Sequence, residues 1–333
     1  MFLYVIMILV INMKIGILGT GAFGIALASI LKKNENRVVM WSKFKGEIDE
    51  LNTTRICTRL NNYNISETIM FTNNIEETVV NSDIIVIAVP ANFVYDTTLL
   101  LKKYYNNQHI CIASKGIEES RGEFLHEIVR DILDTNKIGV ISGPSFAVDI
   151  VSNVPVGVTL ASKNSNTANI IKEAFANKFF KVSITDDMIG VSICGCVKNI
   201  IAIGSGIIDG MGYPISTVSL LITLALSDIK LLIKELGGNE DSILELAGIG
   251  DIILTCTSNK SRNFSFGKLL GESNDSNVIN NYINTHTIEG LNALENINTI
   301  MNKLNIDLPF ISLMNEIILK NKDKYDLIKY ITK

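Results

Sequence analysis

The sequence predicts an α/β chain, with a parallel-rich sheet domain at the N-terminus and a mostly α-helical domain at the C-terminus. Three observations carry this. Between Lys14 and Leu160, short β-rich apolar runs alternate with turns and more polar or amphipathic segments, the rhythm of βα units. Hydrophobicity within the runs is continuous rather than alternating, as in strands that helices cover on both faces. From about Gly190 the rhythm changes to longer helical stretches with few strand signals.

The expected strands, in order, are Lys14 to Leu18 (KIGIL), Arg37 to Trp41 (RVVMW), Asp83 to Val89 (DIIVIAV), His109 to Ala113 (HICIA), Lys137 to Ser142 (KIGVIS) and Pro155 to Leu160 (PVGVTL). Phe180 to Ile184 adds an edge strand. The expected later helices include Ile215 to Lys234, Ile288 to Leu304 and Ile311 to Lys320. A boundary near Asp187 to Gly190 divides the chain into residues 13–189 and 190–333. The Asn- and Ser-rich stretch from Gly271 to Asn284 reads as an exposed loop.

At 333 residues the chain has room for two domains of roughly 150 residues each. With 47% hydrophobic residues, 19% charged residues and a net charge of −4, it has no basic surplus for a phosphodiester backbone, so nucleic acid is not an expected partner. The five cysteines are odd in number and scattered, which points to a reducing compartment, the cytoplasm, rather than a disulfide framework. Cys194 and Cys196 sit in an apolar stretch and read as small buried side chains. His109, His126 and His286 are far apart in sequence, so no metal site is expected. The apolar Met1 to Ile11 has neither the basic region nor the cleavage site of a secretory signal, and it falls short of the roughly 18 residues an anchor needs. Translation is therefore expected to begin at Met13, with Met1 to Asn12 dispensable.

The sharpest local signal is Gly19-Thr20-Gly21-Ala22-Phe23-Gly24, a G-x-G-x-x-G directly after the first strand and opening a helix. Gly19 makes the tight turn, Gly21 lets the backbone approach a pyrophosphate, and Gly24 lets the helix pack on the strand. This identifies the first domain as Rossmann-type and dinucleotide-binding. The second strand ends in Trp41-Ser42-Lys43, without the carboxylate that usually meets the ribose of NAD. Lys43 with Lys45 suits a 2′-phosphate instead, so NADP(H) is favoured and NAD(H) stays open; the alternative is two solvated lysines.

Lys198 is the only charged residue among the 21 between Asp187 and Asp209. Burial disfavours the charged amine, which makes this lysine a candidate general base, with Asn199 beside it to offer a hydrogen bond. A lysine mid-span would cost a membrane helix about 2.5–3.5 kcal/mol, so stable insertion is not expected. Asp251, isolated within LAGIGDIILTCT, is its natural cationic-pair partner. Ser261-Arg262-Asn263 sets a guanidinium beside an amide, a pairing suited to phosphate.

Together the motifs resemble the bacterial-type NAD(P)-dependent glycerol-3-phosphate dehydrogenases from about Lys14 to Pro309. The segments carrying the likeness are GTGAFG, ASKGIE (Ala113 to Glu118), SGPSFA (Ser142 to Ala147), VKNIIAIGSGIIDGMG (Val197 to Gly212), LAGIGDIILTCT, SRNFSFG (Ser261 to Gly267) and IEG (Ile288 to Gly290). Phe23 stands where that family usually carries Trp or Tyr. The resemblance implies a small phosphate substrate and an active site between the two domains. It makes Lys198 the proton acceptor for the C2 hydroxyl. Lys115, Gly143, Ser145, Lys198, Asp251, Ser261, Arg262 and Asn263 would hold substrate, and Ala22, Phe23, Lys43, Lys115, Ala147, Arg262 and Glu289 would line the cofactor with the three loop glycines. A β-hydroxyacid dehydrogenase, which also carries a Lys-Asn pair in a helix, is the nearest rival. A non-catalytic coenzyme sensor is another, but it would not need Lys198, Asp251 and Arg262 together. Oligomeric state, a homodimer included, is not readable.

Overall fold

The seven apolar runs, joined by a short strand at Met70–Thr72 that the sequence reading did not include, assemble into one eight-stranded sheet. In chain order its strands are β1 (Lys14–Leu18), β2 (Arg37–Trp41), β3 (Met70–Thr72), β4 (Ile84–Ile87), β5 (His109–Ile112), β6 (Ile138–Ser142), β7 (Val156–Ala161) and β8 (Phe180–Thr185). Their spatial order is β8-β7-β6-β5-β4-β1-β2-β3. This computed structural model describes residues 12–118, 122–273 and 275–333; Met1 to Ile11, with the expectation of a later start, lies outside them.

Strands β1 to β6 run parallel, and the buried centre, Ile15, Ile17, Ile84 to Ile87 and Ile110 to Ile112, explains their unbroken apolar character. The strand order reverses at β1, so the carboxyl ends of β1 and β4 flank a crevice of the kind that takes ligands in open α/β sheets. β7 departs from the expected run of parallel units, because it lies antiparallel to β6. The chain between them holds only a five-residue helix, Ala147–Val151, and turns back on itself. A Cβ on Gly143 would stand 2.7 Å from both Gly157 O and Val158 Cα, so the start of the loop packs directly against β7.

The helices that matter for the site are α1 (Ala22–Lys33), α2 (Met188–Gly210), α3 (Ile215–Glu235), α4 (Asp251–Cys256), α5 (Arg262–Glu272), α6 (Ser276–Thr285) and α7 (Glu289–Leu304). Asp187 caps α2, accepting from the N–H of Gly190 at 3.0 Å. α2 and α3 are long and apolar enough to cross a membrane, but 94% of the apolar window of α2 is buried inside the protein. α2 is the core helix that the others wrap. α5 packs on it backbone to backbone, since a Cβ on Gly206, Gly210, Gly267 or Gly271 would overlap, respectively, the carbonyl oxygens of Phe264, Lys268, Ile203 and Ile207.

The expected loop from Gly271 to Asn284 is in part helix α6. Asp275 accepts from the Asn277 N–H at 2.8 Å as its cap, and Tyr282 stacks on Phe266 of α5 at 6.0 Å. Two anchoring side chains, Ile279 and Tyr282, lie among Asn and Ser, so composition alone hid the helical spacing.

Candidate active site

The glycine loop follows β1. Gly19 has φ +121°, a conformation costly for any side chain, and its N–H donates to Trp41 O at 2.8 Å. A Cβ on Gly24 would stand 2.6 Å from Gly19 O, whereas one on Gly21 would meet nothing within 4 Å. Gly21 caps α1 without any side-chain hydrogen bond, so the first-turn N–H groups remain free to face an anion. The loop therefore fits a dinucleotide pyrophosphate. Ala22 and Phe23 open the helix half-buried, and the Phe23 ring lies 5.9 Å from the Lys115 ammonium.

At the end of β2, Lys43 is exposed but not simply solvated, because its ammonium lies 5.2 Å from the Phe44 ring centroid and 4.9 Å from that of Phe93. Phe93 comes from the segment after β4, a neighbour the sequence did not announce. A carboxylate also stands at this strand end: Ser42 Oγ donates to Glu47 Oε2 at 2.8 Å. Glu47 escapes a search of the strand itself because it belongs to the first turn of the helix Lys45–Thr54.

Lys198 and Asp251 meet as expected, with Nζ 2.5 Å from Oδ2. Asp251 begins α4, where Thr255 one turn later donates to its other oxygen at 3.3 Å. Lys115, carried on the segment after β5, adds a second ammonium 3.2 Å from the same Oδ2. Gly116, with φ +126°, turns the chain just after it. Burial lowers the Lys198 pKa to about 8, with Lys115 acting in the same direction and Asp251 opposing. Burial also works against the Asp251 charge, but Lys115 and Lys198 outweigh it and hold the carboxyl below its usual range.

Next to this cluster runs a chain of amides. The Gly290 N–H donates to Asn263 Oδ1 at 2.9 Å, Asn263 Nδ2 donates to Asn199 Oδ1 at 2.9 Å, and Asn199 Nδ2 donates to Glu289 Oε2 at 3.3 Å. The backbone donor sets the orientation of the first amide, and each link sets the next. Arg262 Nη2 lies 3.7 Å from Glu289 Oε1 at the exposed end. Ser261 caps α5 by accepting from the Phe264 N–H at 3.2 Å, which puts Arg262 and Asn263 in its first turn. Gly143, Ser145 and Ala147 lie on the loop after β6, where Ser145 Oγ donates to Gly143 O at 3.1 Å. That loop reaches the cluster, since a Cβ on Gly250, next to Asp251, would stand 3.4 Å from Pro144 Cγ. Lys43 stays at the far, β2 side of the crevice. Among the described residues no group of three or more His, Cys, Asp or Glu could hold a metal.

Comparison with known proteins places nearly the whole chain in one family. The family described as NAD-dependent glycerol-3-phosphate dehydrogenase N-terminus matches residues 14–168, and its C-terminus counterpart matches residues 187–329. The chain belongs to this family. Among its glycerol-3-phosphate dehydrogenase relatives, the [NAD(P)+] enzyme of Clostridium botulinum is 33% identical over 312 residues, covering 93% of this chain and 94% of the relative. That of Fusobacterium nucleatum is 34% identical over 319 residues, covering 95% of each. The crystal structure of glycerol-3-phosphate dehydrogenase from Coxiella burnetii superposes with a TM-score of 0.90 at 32% identity, over 97% of this chain and 99% of that one. D-mandelate dehydrogenase, at 13% identity and a TM-score of 0.63, shares the fold alone.

Proposed function

We propose that the chain is an NAD(P)-dependent oxidoreductase that interconverts dihydroxyacetone phosphate and sn-glycerol 3-phosphate, supplying the latter for phospholipid synthesis. The observation that carries the chemistry is a buried lysine, Lys198, held 2.5 Å from the Asp251 carboxylate, with Arg262 and Asn263 in the first turn of the neighbouring helix. The reading divides the labour between a dinucleotide-binding part, residues 13–189, and a helical substrate part, residues 190–333.

The bound coenzyme supplies or takes up the hydride at C2. In the oxidation direction, neutral Lys198 accepts the proton of the C2 hydroxyl. In reduction, its ammonium donates a proton to the carbonyl oxygen as that atom becomes an alkoxide. Asp251 fixes Lys198 and Lys115 around one point, and Lys115 shares in holding the substrate. Arg262 and Asn263 hold the phosphate, helped by Ser261 and by the Gly143 to Ser145 loop. The free N–H groups at Gly21 to Gly24 take the pyrophosphate; Ala147, Arg262 and Glu289 line the coenzyme beside Phe23. Lys43, braced by two rings, pairs with a 2′-phosphate, which favours NADP(H), while Glu47 leaves the ribose of NAD(H) a partner. The enzyme acts in the cytoplasm without stable membrane insertion, and a homodimer is compatible with this reading.

Following NADPH and NADH absorbance with dihydroxyacetone phosphate as acceptor tests the proposal. Turnover with at least one coenzyme is expected, and none with either removes it.

A further inference from the structure

Between the sheet and the first turns of α2 lies a small, partly open cavity of about 10 Å³, room for about one water, whose wall includes Ser114, Lys115, His126, Ser142, Ser192 and Gly195. No protein group among the described residues partners Ser142 Oγ or His126 Nδ1. Both residues are more than nine-tenths buried, at 3% and 8% exposure. Each unsatisfied polar atom of this kind costs roughly 1–3 kcal/mol, and two in the wall of one polar cavity form the environment that internal water satisfies.

The cavity adjoins the reacting groups. Lys115 is at once part of its wall and 3.2 Å from Asp251 Oδ2. Gly195 precedes Lys198 by three residues and so shares its helix face, and a Cβ on Gly195 would stand 3.0 Å from Ser142 Oγ. We propose that this cavity is the proton path of the reaction, a single internal water among Lys115, Ser142 and His126 that exchanges protons with the Lys198–Asp251–Lys115 cluster. The inference rests on the activity proposed above.

The proton count requires such an exchange. In each reduction the coenzyme's hydride goes to C2 and an N–H proton of Lys198 goes to the carbonyl oxygen. That leaves a neutral amine, which must regain one proton from solvent before the next turnover. Oxidation runs the same transfer backwards. Lys198 is nearly closed from outside, with a side-chain exposure of 6%, and on the proposed reading substrate and coenzyme in the crevice would cover Lys115, whose side chain is 19% exposed. An interior route remains available with both ligands in place. His126 suits its far end. Burial pushes its pKa down to about 4, with Arg130 and Lys163 acting in the same direction and Asp187 opposing. The ring is therefore neutral at pH 7, one nitrogen donating and the other accepting, as a relay requires. Stacking on Phe124 at 5.4 Å holds it in place.

The test compares wild type with His126→Phe, Ser142→Ala, their double variant, and Gly195→Ala, which pushes a methyl against Ser142. Water oxygen-17 relaxation dispersion counts long-lived internal water, and dihydroxyacetone phosphate reduction is followed in light and heavy water. In His126→Phe and Gly195→Ala, kcat is expected to fall about tenfold with KM within about twofold, below the full effect of losing a general acid. At least one long-lived water should be lost, and the solvent isotope effect on kcat should rise as proton transfer becomes limiting. A merely structural role would move stability or KM and leave the isotope effect unchanged. Wild-type kcat and solvent isotope effect in the double variant, or unchanged internal water in Gly195→Ala, overturns the path while leaving the activity standing. Absence of turnover in wild type overturns the activity reading, and the path with it.

Discussion

A lysine works as a base near neutral pH only if something disfavours its charge, and at Lys198 that is burial beside a second ammonium, Lys115. Lys198→Ala is expected to lose at least ~10²-fold in kcat, the lower end for an acid-base group, while NADPH binding by fluorescence titration is retained. The sign of the pH dependence follows from a pKa of about 8. Oxidation needs the neutral amine, so kcat/KM for glycerol 3-phosphate rises through that region; reduction needs the ammonium and falls there. Asp251 raises the Lys198 pKa, so Asp251→Asn should move both limbs to lower pH. At the other end of the crevice, Lys43→Glu removes the proposed 2′-phosphate partner and is expected to shift the ratio of NADPH to NADH specificity constants towards NADH. An unchanged ratio would leave Lys43 as a ring-stacked surface cation. The Lys198–Asp251 pair was legible because each is an isolated charge in an apolar stretch. The second ammonium entered only through the family resemblance: nothing in the polar surroundings of Lys115, 136 residues from Asp251, points to that carboxylate, and only the fold brings them together. Glu47 and Phe93 were hidden in the same way.

At the scale of elements, the turn proposed to hold the phosphate owes its position to the glycine seam between α2 and α5. Gly267→Ala would drive a methyl into Ile203 O, and overpacking of this kind costs about 1–3 kcal/mol. Arg262 and Asn263 sit one turn from that contact. The KM for dihydroxyacetone phosphate should therefore rise in Gly267→Ala with little change in coenzyme binding, while Gly46→Ala, which meets nothing within 4 Å, should be neutral. Thermal melts and steady-state kinetics on the two variants check this. Strands were the most legible elements, because double-sided burial makes them continuously apolar. The seam was unreadable, since Gly206, Gly210, Gly267 and Gly271 count in a single sequence as helix-weakening residues, and their use appears only when two backbones meet. Helix α6 was missed because Asn and Ser crowd it and mask Ile279 and Tyr282.

In the whole molecule, the proposed site draws Lys115 from the sheet half and Lys198, Asp251 and Arg262 from the helical half. Ligands that bridge the halves should stabilise more together than the sum of their separate effects. At about 100 times its dissociation constant a single ligand adds about 2.7 kcal/mol; oxidised coenzyme with glycerol 3-phosphate should raise the Tm beyond the two separate increments, as scanning calorimetry can show. The division into a sheet part and a helical part was evident from the change of rhythm near Gly190. The direction of β7 was not, because a buried strand has the same apolar pattern whichever way it runs. The shared carboxylate at the centre has one more consequence. With Lys198 protonated, Lys115, Lys198 and Arg262 against Asp251 and Glu289 leave this region one positive charge in excess. A phosphate dianion over-compensates that charge, and the one group nearby poised to answer is Lys198. Substrate binding near pH 8 should thus draw in up to about half a proton from the medium, the fraction a group with that pKa lacks. The binding enthalpy measured by titration calorimetry should then differ between two buffers of unlike ionisation heat, and the difference should vanish in Lys198→Ala.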